Sequence, residues 1–381
     1  MYRQGVAAAR AVGRFFGGYH QARSVKRRGM KLLLANPRGF CAGVYMAIDV
    51  LDQLLEIYPD KPIYVLHEIV HNQHVVDRFR HRGVRFVDAI DEVPRRAVVV
   101  FSAHGVSPAL RRQASERELT TIDATCPLVT KVHMEAIRYA KKGYQIVLIG
   151  HADHQEIIGT RGEAPEAIQV VTSPAQVASL EIKDPQKLVY LTQTTLSMDE
   201  ASVIITALRT AYPQIKDPPS DDICYATTNR QKAVHAIAPE CDLVLVIGSK
   251  NSSNSVRLTE IAQATGTSAH LIDDDSELDD AWFDGVETVL ITAGASAPED
   301  LVRKVVRTLI DSFGGEVEQR DVFHESVEFG LPGTLKEFML AQGVDPTGRT
   351  IVRDDAVALD TWLTEQDITH RTIQVTIGHS R

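Results

Sequence analysis

Three of the chain's four cysteines share one local setting. Cys41 closes LLLANPRGFC, Cys126 closes TTIDATC and Cys224 closes DDIC; each ends an extended, partly apolar run and precedes a helical pattern. A helix N-terminus presents unpaired N–H groups and a partial positive charge, which lower a thiol's pKa and favour an anionic ligand set. The thiols are spaced 85 and 98 residues apart, which suggests three similar units converging on one centre. Taken singly, a buried cysteine is as often a small hydrophobe, and Cys241, entering CDLVLVIG, reads that way. Disulfides fit poorly with four cysteines in a chain of this size without a secretory signal. Structural zinc draws four ligands from closely spaced pairs, and no CxxC pair is present. An iron–sulfur cluster normally takes four cysteines, so three would leave one iron open to substrate. Position alone leaves metal and packing both open.

Polar residues gather where apolar runs stop. His71 and Asn72 follow IYVLHEIV, Ser102 and His104 follow VVVF, and His151, His154 and Glu156 follow IVLIG. Thr192 to Thr195 close LVYL, Ser249 to Asn254 follow LVLVIG, and Ser296 sits in ITAGASAP. Ligands of open α/β sheets bind at the carboxyl ends of strands, beside helix N-termini. Any one of these Ser, Thr or Asn residues can be a plain helix cap; their recurrence at strand ends favours a site. Histidines, hydroxyls, amides and backbone N–H groups can hold a diphosphate, whose charge favours protonated imidazoles. Glu156 differs in kind. In a closed pocket beside anions its pKa should rise, fitting it to donate a proton near neutral pH.

The elements that position these residues alternate short Val/Ile/Leu runs with amphipathic helical patterns, the mark of βαβ units around mainly parallel sheets. Strands are expected at KLLLAN, KPIYVLH, RAVVVFSAH, YQIVLIGH, KLVYLTQT, CDLVLVIGS and ETVLITAG, with helices such as QHVVDRFRHRG and SVRLTEIAQATG between them. At 381 residues the chain suits two or three domains. One α/β unit is expected over 44–126, a second over 127–222, and a third over 223–320 joined by the strand at 31–43. KDPPSDD reads as a linker ahead of the third unit. Residues 1–30 are expected to be a basic, disordered arm, with Met30 as an alternative start, in preference to an organelle-targeting segment. Residues 331–381 read as a C-terminal extension without a motif. The net charge of −9 argues against nucleic-acid binding, no apolar run has the length of a membrane span, and a cytoplasmic location is expected.

In order along the chain stand ANPRGFCAGV, HEIVHN, FSAHGVS, DATCPLVTKVH, LIGHADHQE, TQTTLS, ICYATTNRQ, GSKNSSNS and TAGASAP. With these the chain resembles, over about residues 31–320, the IspH/LytB family of 4-hydroxy-3-methylbut-2-enyl diphosphate reductases. The resemblance implies three small α/β domains with mainly parallel sheets around a central 4Fe–4S cluster, held by Cys41, Cys126 and Cys224 with one iron open. It places His71, His104, Ser252, Asn254 and Ser296 on the diphosphate, with Ser253 adjoining. His154 would stand near the diphosphate and proton relay, Glu156 would be the proton source, Thr194 would meet the substrate hydroxyl, and Thr227 would lie near the cluster. The implied reaction is a two-electron reductive removal of water giving isopentenyl and dimethylallyl diphosphates, with a ferredoxin or flavodoxin-type donor. A non-redox iron–sulfur dehydratase is the second enzymatic reading and calls for carboxylate-binding arginines. A non-enzymatic iron–sulfur sensor, the third, has no need of Glu156. The chain departs from the family pattern at Gln155, where a proline is common, and at Tyr45-Met46, where the change is expected to alter only helix surface.

Overall fold

Val, Ile and Leu dominate the strands because both faces of every sheet are covered. In the computed structural model, which describes residues 29–349 and 359–377, β1 (Met30–Asn36) leads into α1 (Ala42–Ile57). The basic arm expected at the N-terminus lies, up to residue 28, outside the described residues. Next come β2 (Ile63–Leu66), α2 (Gln73–His81), β3 (Arg85–Val87), β4 (Val98–Phe101), α3 (Pro108–Glu116) and β5 (Thr120–Asp123). Helix α4 (Pro127–Lys141) carries the chain to β6 (Gln145–Ile149), α5 (Gln155–Glu163), β7 (Ile168–Val171), β8 (Leu188–Thr192) and α6 (Met198–Ala211). Then follow α7 (Tyr225–Ile237), β9 (Leu243–Ile247), α8 (Ser253–Ala264), β10 (Ser268–Ile272), β11 (Thr288–Ala293), α9 (Glu299–Phe313) and β12 (Gly315–Asp321). The tail contributes α10 (Gly333–Ala341), α11 (Leu359–Glu365) and β13 (His370–Gln374).

These strands form three sheets, ordered β10-β9-β11-β1-β12-β13, β3-β2-β4-β5 and β7-β6-β8. Their pairings are parallel, as in Leu33 opposite Leu290, Val65 opposite Val100 and Val147 opposite Tyr190. Parallel neighbours need crossovers, and the intervening helices supply them. Alternation along each strand feeds two cores. Leu32 and Leu34 of β1 enter one and Leu33 and Ala35 the other; Ile63 and Val65 of β2 oppose Tyr64 and Leu66; Val147 and Ile149 of β6 oppose Ile146 and Leu148. Each fully buried aliphatic side chain contributes about 1.5–3 kcal/mol.

Helices do not always stay with the sheet they follow. Helix α1 leaves β1 of the six-stranded sheet, yet its Val44, Ala47 and Leu51 pack into the core of the four-stranded one. Helix α4 leaves that sheet and buries Val132 and Ala136 under the three-stranded one. Helix α7 returns, burying Ala233, Val234 and Ile237 beneath β1, β9 and β11. The tail, expected as a motif-free extension, is part of the fold. Leu335, Phe338 and Met339 of α10 complete the core beside α1, and β13 extends the six-stranded sheet by pairing with β12.

Candidate active site

Cys41, Cys126 and Cys224 are the N-cap residues of α1, α4 and α7, and their side chains line one cavity. The sequence expectation that helix N-termini would lower these thiol pKa values is corrected by burial. Desolvation raises all three: Cys41 rises despite the Arg230 charge and N–H donors of Val44 and Gly43, and Cys224 is pushed up to about 11. Without a cation to neutralise them, buried thiols keep their protons. The cradle is tight: a Cβ on Gly43 would lie 2.6 Å from Cys126 Sγ and 4.0 Å from Cys41 Sγ. Thr227, fully buried, donates its N–H to Cys224 Sγ at 3.4 Å and has its hydroxyl 3.2 Å away. Among the described residues no three His, Cys, Asp or Glu side chains gather around a point suited to a single ion. Three cysteines lining one cavity are a donor set that could hold an iron–sulfur cluster. Cys241 stands apart, ahead of β9, with its thiol donating to Ile237 O at 3.4 Å.

The opposite wall is a cradle of imidazoles, hydroxyls and an amide. His71 and His104 stack with centroids 3.9 Å apart, and His154 meets their edges at 5.4 and 5.9 Å. Glu68 accepts from Asn251 Nδ2 (2.7 Å) and holds His71 Nδ1 at 3.0 Å. Burial and the neighbouring imidazoles hold His104 well below the ordinary histidine range, and burial followed by the His71 and His151 charges brings His154 to about 4. Free His104 and His154 are therefore neutral near pH 7, and their protonation awaits an anion. Ser252 caps α8, its Oγ accepting from Ser255 N, while Ser296 Oγ donates to His71 O at 2.9 Å. Ser253 Oγ donates to Thr195 O at 3.4 Å. Asn254 accepts from Ala295 N through Oδ1 (2.9 Å), and its buried Nδ2 has no partner. A buried amide donor left open beside a helix N-terminus is what a phosphate oxygen would satisfy.

Glu156 lies between the two walls, 2% exposed. Thr194 donates its N–H to Oε1 (2.6 Å) and its hydroxyl to Oε2 (3.0 Å). These bonds favour the carboxylate, yet burial outweighs them and pushes Glu156 up to about 7, with the Asp222 charge adding. Gln155 occupies the first position of α5, after His154 as N-cap. That slot accepts proline because its N–H is unpaired in any case, so either residue can open the helix there. The thirteen side chains to which the family resemblance gives a place in the site line this cavity, which measures about 680 Å³ with its mouth. Of the other polar strand-end residues Thr195 joins them, whereas Asn72, Ser102, His151, Thr192, Gln193, Ser249, Lys250 and Asn251 do not line it.

The structure also brings in residues that strand-end reasoning passed over. His133 of α4 is a buried wedge: its ring lies 3.1 Å from where a Cβ at Gly105 would sit and 3.3 Å from the same point at Gly159. It thus seats the loop carrying His104 against the helix carrying Glu156, with Glu163 holding its Nδ1 at 3.0 Å. Arg230 is buried and donates to Gly39 O (2.8 Å), Ala226 O and Glu325, tying the approach to Cys41 to the helix behind Cys224. The signal for both was only their place one to two turns beyond a cysteine. At Tyr45-Met46 the expectation of a mere surface change is corrected: Met46 is buried, and Tyr45 packs edge-on against Phe40 at 5.3 Å.

The family described as "LytB protein" matches residues 32–310. The chain belongs to the LytB family. This LytB-family chain is 53% identical over 309 residues to the 4-hydroxy-3-methylbut-2-enyl diphosphate reductase of Mycolicibacterium vanbaalenii, covering 81% of the chain and 91% of the relative. It is 54% identical over 313 residues to the reductase of the same name from Rhodopirellula baltica, covering 82% and 98%. Among solved structures it is similar to the E-1-hydroxy-2-methyl-but-2-enyl-4-diphosphate reductase of Plasmodium falciparum, with a TM-score of 0.80 and 38% identity over 83% of this chain and all of that one. A second, described as (E)-4-hydroxy-3-methyl-but-2-enyl diphosphate reductase, the terminal enzyme of the non-mevalonate pathway, aligns with a TM-score of 0.54 and 30% identity over 74% of this chain and 99% of that one. The LytB match ends within α9, so β12, α10 and β13 are additions to the matched region.

Proposed function

We propose that the chain reduces 4-hydroxy-3-methylbut-2-enyl diphosphate to isopentenyl and dimethylallyl diphosphates, consuming two electrons and two protons and releasing water. The observation that carries this reading is one cavity holding three thiols, a buried carboxyl poised to bear a proton, and a phosphate-type cradle. Cys41, Cys126 and Cys224 would hold a 4Fe–4S cluster with one iron open. When bound, that group supplies Lewis acidity and electrons one at a time.

The chain's own residues do the rest. Ser252, Asn254 Nδ2, Ser296 and the N–H groups opening α8 bind the diphosphate, aided by His71, His104 and His154. Each charge-assisted bond is worth about 1.5–3 kcal/mol. Val70, Ala103, Leu128 and Val129 line the same space and would cover the allylic carbons, excluding water. Glu156, whose pKa burial raises to about 7, carries the proton that turns a hydroxide leaving group into water, and Thr194 fixes its orientation. The donor would be a ferredoxin or flavodoxin-type protein.

A non-redox dehydratase acting on a hydroxy acid would call for arginines, and the cavity lining, among the described residues, holds none. A sensor would leave Glu156 and its Thr194 clamp without purpose. The test is anaerobic cluster reconstitution followed by turnover with the hydroxylated allylic diphosphate and reduced viologen. Failure to consume it with the cluster intact sinks the reductase reading.

A further inference from the structure

Helix α4, capped by Cys126, ends at Lys141, and a surface groove along it is lined by Lys131, Met134, Ile137, Arg138, Lys141 and Lys142, with one acid, the buried Glu135, lying 3.9 Å from Lys131 and 4.0 Å from Arg138. On a chain with net charge −9, this face runs against the overall sign. Cations in a last helical turn complement the helix dipole, which accounts for Arg138 and Lys141. The dipole does not account for Met134, 57% exposed among those cations. Nor does it account for the basic surface beyond the helix end. Lys216 Nζ lies 4.8 Å over the Tyr144 ring, and Lys187 Nζ is 3.9 Å from the Cβ position of Gly143. Beneath the groove, Lys131 Nζ donates to Ser220 O (3.1 Å), Asp221 O (2.8 Å) and Asp222 Oδ1 (3.1 Å), just ahead of Cys224. Two of the three cysteine-bearing segments therefore reach the surface here. Met134 is about 12 Å from Cys126 along the axis, at 1.5 Å per residue.

We propose that this face of α4 docks an acidic one-electron carrier protein. The proposal rests on the reductase reading and locates its electron entry. Each turnover oxidises two carriers by one electron apiece; those electrons and two protons convert the allylic alcohol to the alkene and water. Carriers must visit and leave twice, which calls for a small, transient interface of below about 1,200 Å² steered by charge. A ring of cations around one exposed thioether meets that need.

The test uses the anaerobically reconstituted protein and an acidic plant-type 2Fe–2S ferredoxin as probe. Calorimetric Kd is measured for the wild type, for the triple variant Arg138→Glu/Lys141→Glu/Lys142→Glu, and for Lys336→Glu on α10 as a control. The expected result is about tenfold or greater weakening in the triple variant and none in the control, with wild-type affinity falling as salt rises from about 50 to 200 mM. Viologen-driven turnover of the triple variant should stay within about twofold of wild type. Unchanged ferredoxin affinity in the triple variant, or no binding by the wild type, overturns the docking surface. So does loss of viologen-driven turnover in the triple variant with its cluster intact. Absence of viologen-driven turnover in the wild type overturns the reductase reading instead.

Discussion

Replacing Gly43 with alanine tests the thiol cradle at its narrowest point. Gly43 is the second residue of α1, where alanine ordinarily stabilises a helix by about 0.8–1 kcal/mol over glycine. Here the new Cβ would stand 2.6 Å from Cys126 Sγ and 3.2 Å from Cys126 Cβ. Restoring an ordinary contact of ~3.5 Å moves Sγ by about 1 Å. Overpacking of this kind costs about 1–3 kcal/mol, so after the helix gain the metal-free protein loses roughly 0–2 kcal/mol. Metal ligation is far less forgiving, because ligand distances must hold to about 0.2 Å. Gly43→Ala should therefore fold, with a Tm within several degrees of wild type, yet take up less than half the iron and sulfide. Thermal melts of the metal-free protein and iron and sulfide assays after anaerobic reconstitution read the two effects separately. Full iron content with unchanged stability would refute the cradle geometry, and a wild type that binds no cluster would refute the ligand assignment.

Cys41→Ser should lose the cluster whereas Cys241→Ser should keep it; visible absorption after reconstitution decides, and loss in the second variant removes the distinction drawn from their positions. Glu156→Gln keeps the Thr194 N–H bond and should bind substrate normally while kcat falls by about 10²–10⁴-fold; near-wild-type kcat takes Glu156 off the proton path. Since burial lifts Glu156 to about 7, its stabilising contribution is full below the unfolded carboxyl range and lost as pH rises through about 7, and the activity it supports should fall above the same point. His154, held near 4 when free, should gain a proton when a diphosphate binds, so affinity for inorganic pyrophosphate should drop by up to about tenfold per proton for each pH unit above neutrality. Calorimetry in buffers of different ionisation enthalpy measures that uptake, and pH-independent binding without it would exclude the linkage. His133→Ala removes the wedge between Gly105 and Gly159 and should cost roughly 1–3 kcal/mol of stability and raise KM; an unchanged KM confines His133 to packing.

Strands buried on both faces were legible as apolar runs, and the seven read that way correspond to β1, β2, β4, β6, β8, β9 and β11. Those that escaped notice lie mostly at sheet edges. β3 has three residues and β10 begins on an exposed serine, while β12 reads GEVEQRD because its outer neighbour is the polar β13. An edge strand covers less apolar surface, so its composition carries a weaker signal. The site residues stood out because strand carboxyl ends are a local property. Their partners did not, because those contacts are long-range: Ser296 Oγ donates to His71 O, 225 residues away, and Asn251 reaches Glu68 across 183. Thiol protonation was misjudged for a related reason. A helix N-terminus is visible in sequence, whereas the depth of burial that overrides it is not.

Each thiol stands where the chain passes from one sheet to a helix packed on another. Cys41 follows β1 but caps a helix buried against the four-stranded sheet. Cys126 follows β5 and caps a helix buried under the three-stranded one. Cys224, whose N–H donates to Thr194 O beside β8, caps the helix that returns beneath β1.

 The segment that ends at this cysteine stays hydrogen-bonded to the three-stranded sheet, through Cys224 N to Thr194 O at 3.0 Å and Thr192 N to Asp222 Oδ2 at 3.0 Å. The three crossovers therefore close a ring, from the six-stranded sheet through the other two and back. No single βαβ packing fixes a thiol; the mutual docking of all three sheets does. On the proposed reading the buried thiols would have to shed protons to act as ligands, which would couple metal affinity at once to pH and to that docking. A ring of three crossovers supplies three thiols and no fourth. The remaining side of the cavity falls to residues from the strand ends, Glu156, Thr194 and the imidazole trio. On the proposed reading, a three-thiol ligand set that would leave room for substrate follows from the topology, and the chemistry placed opposite it is of the kind a diphosphate alcohol requires.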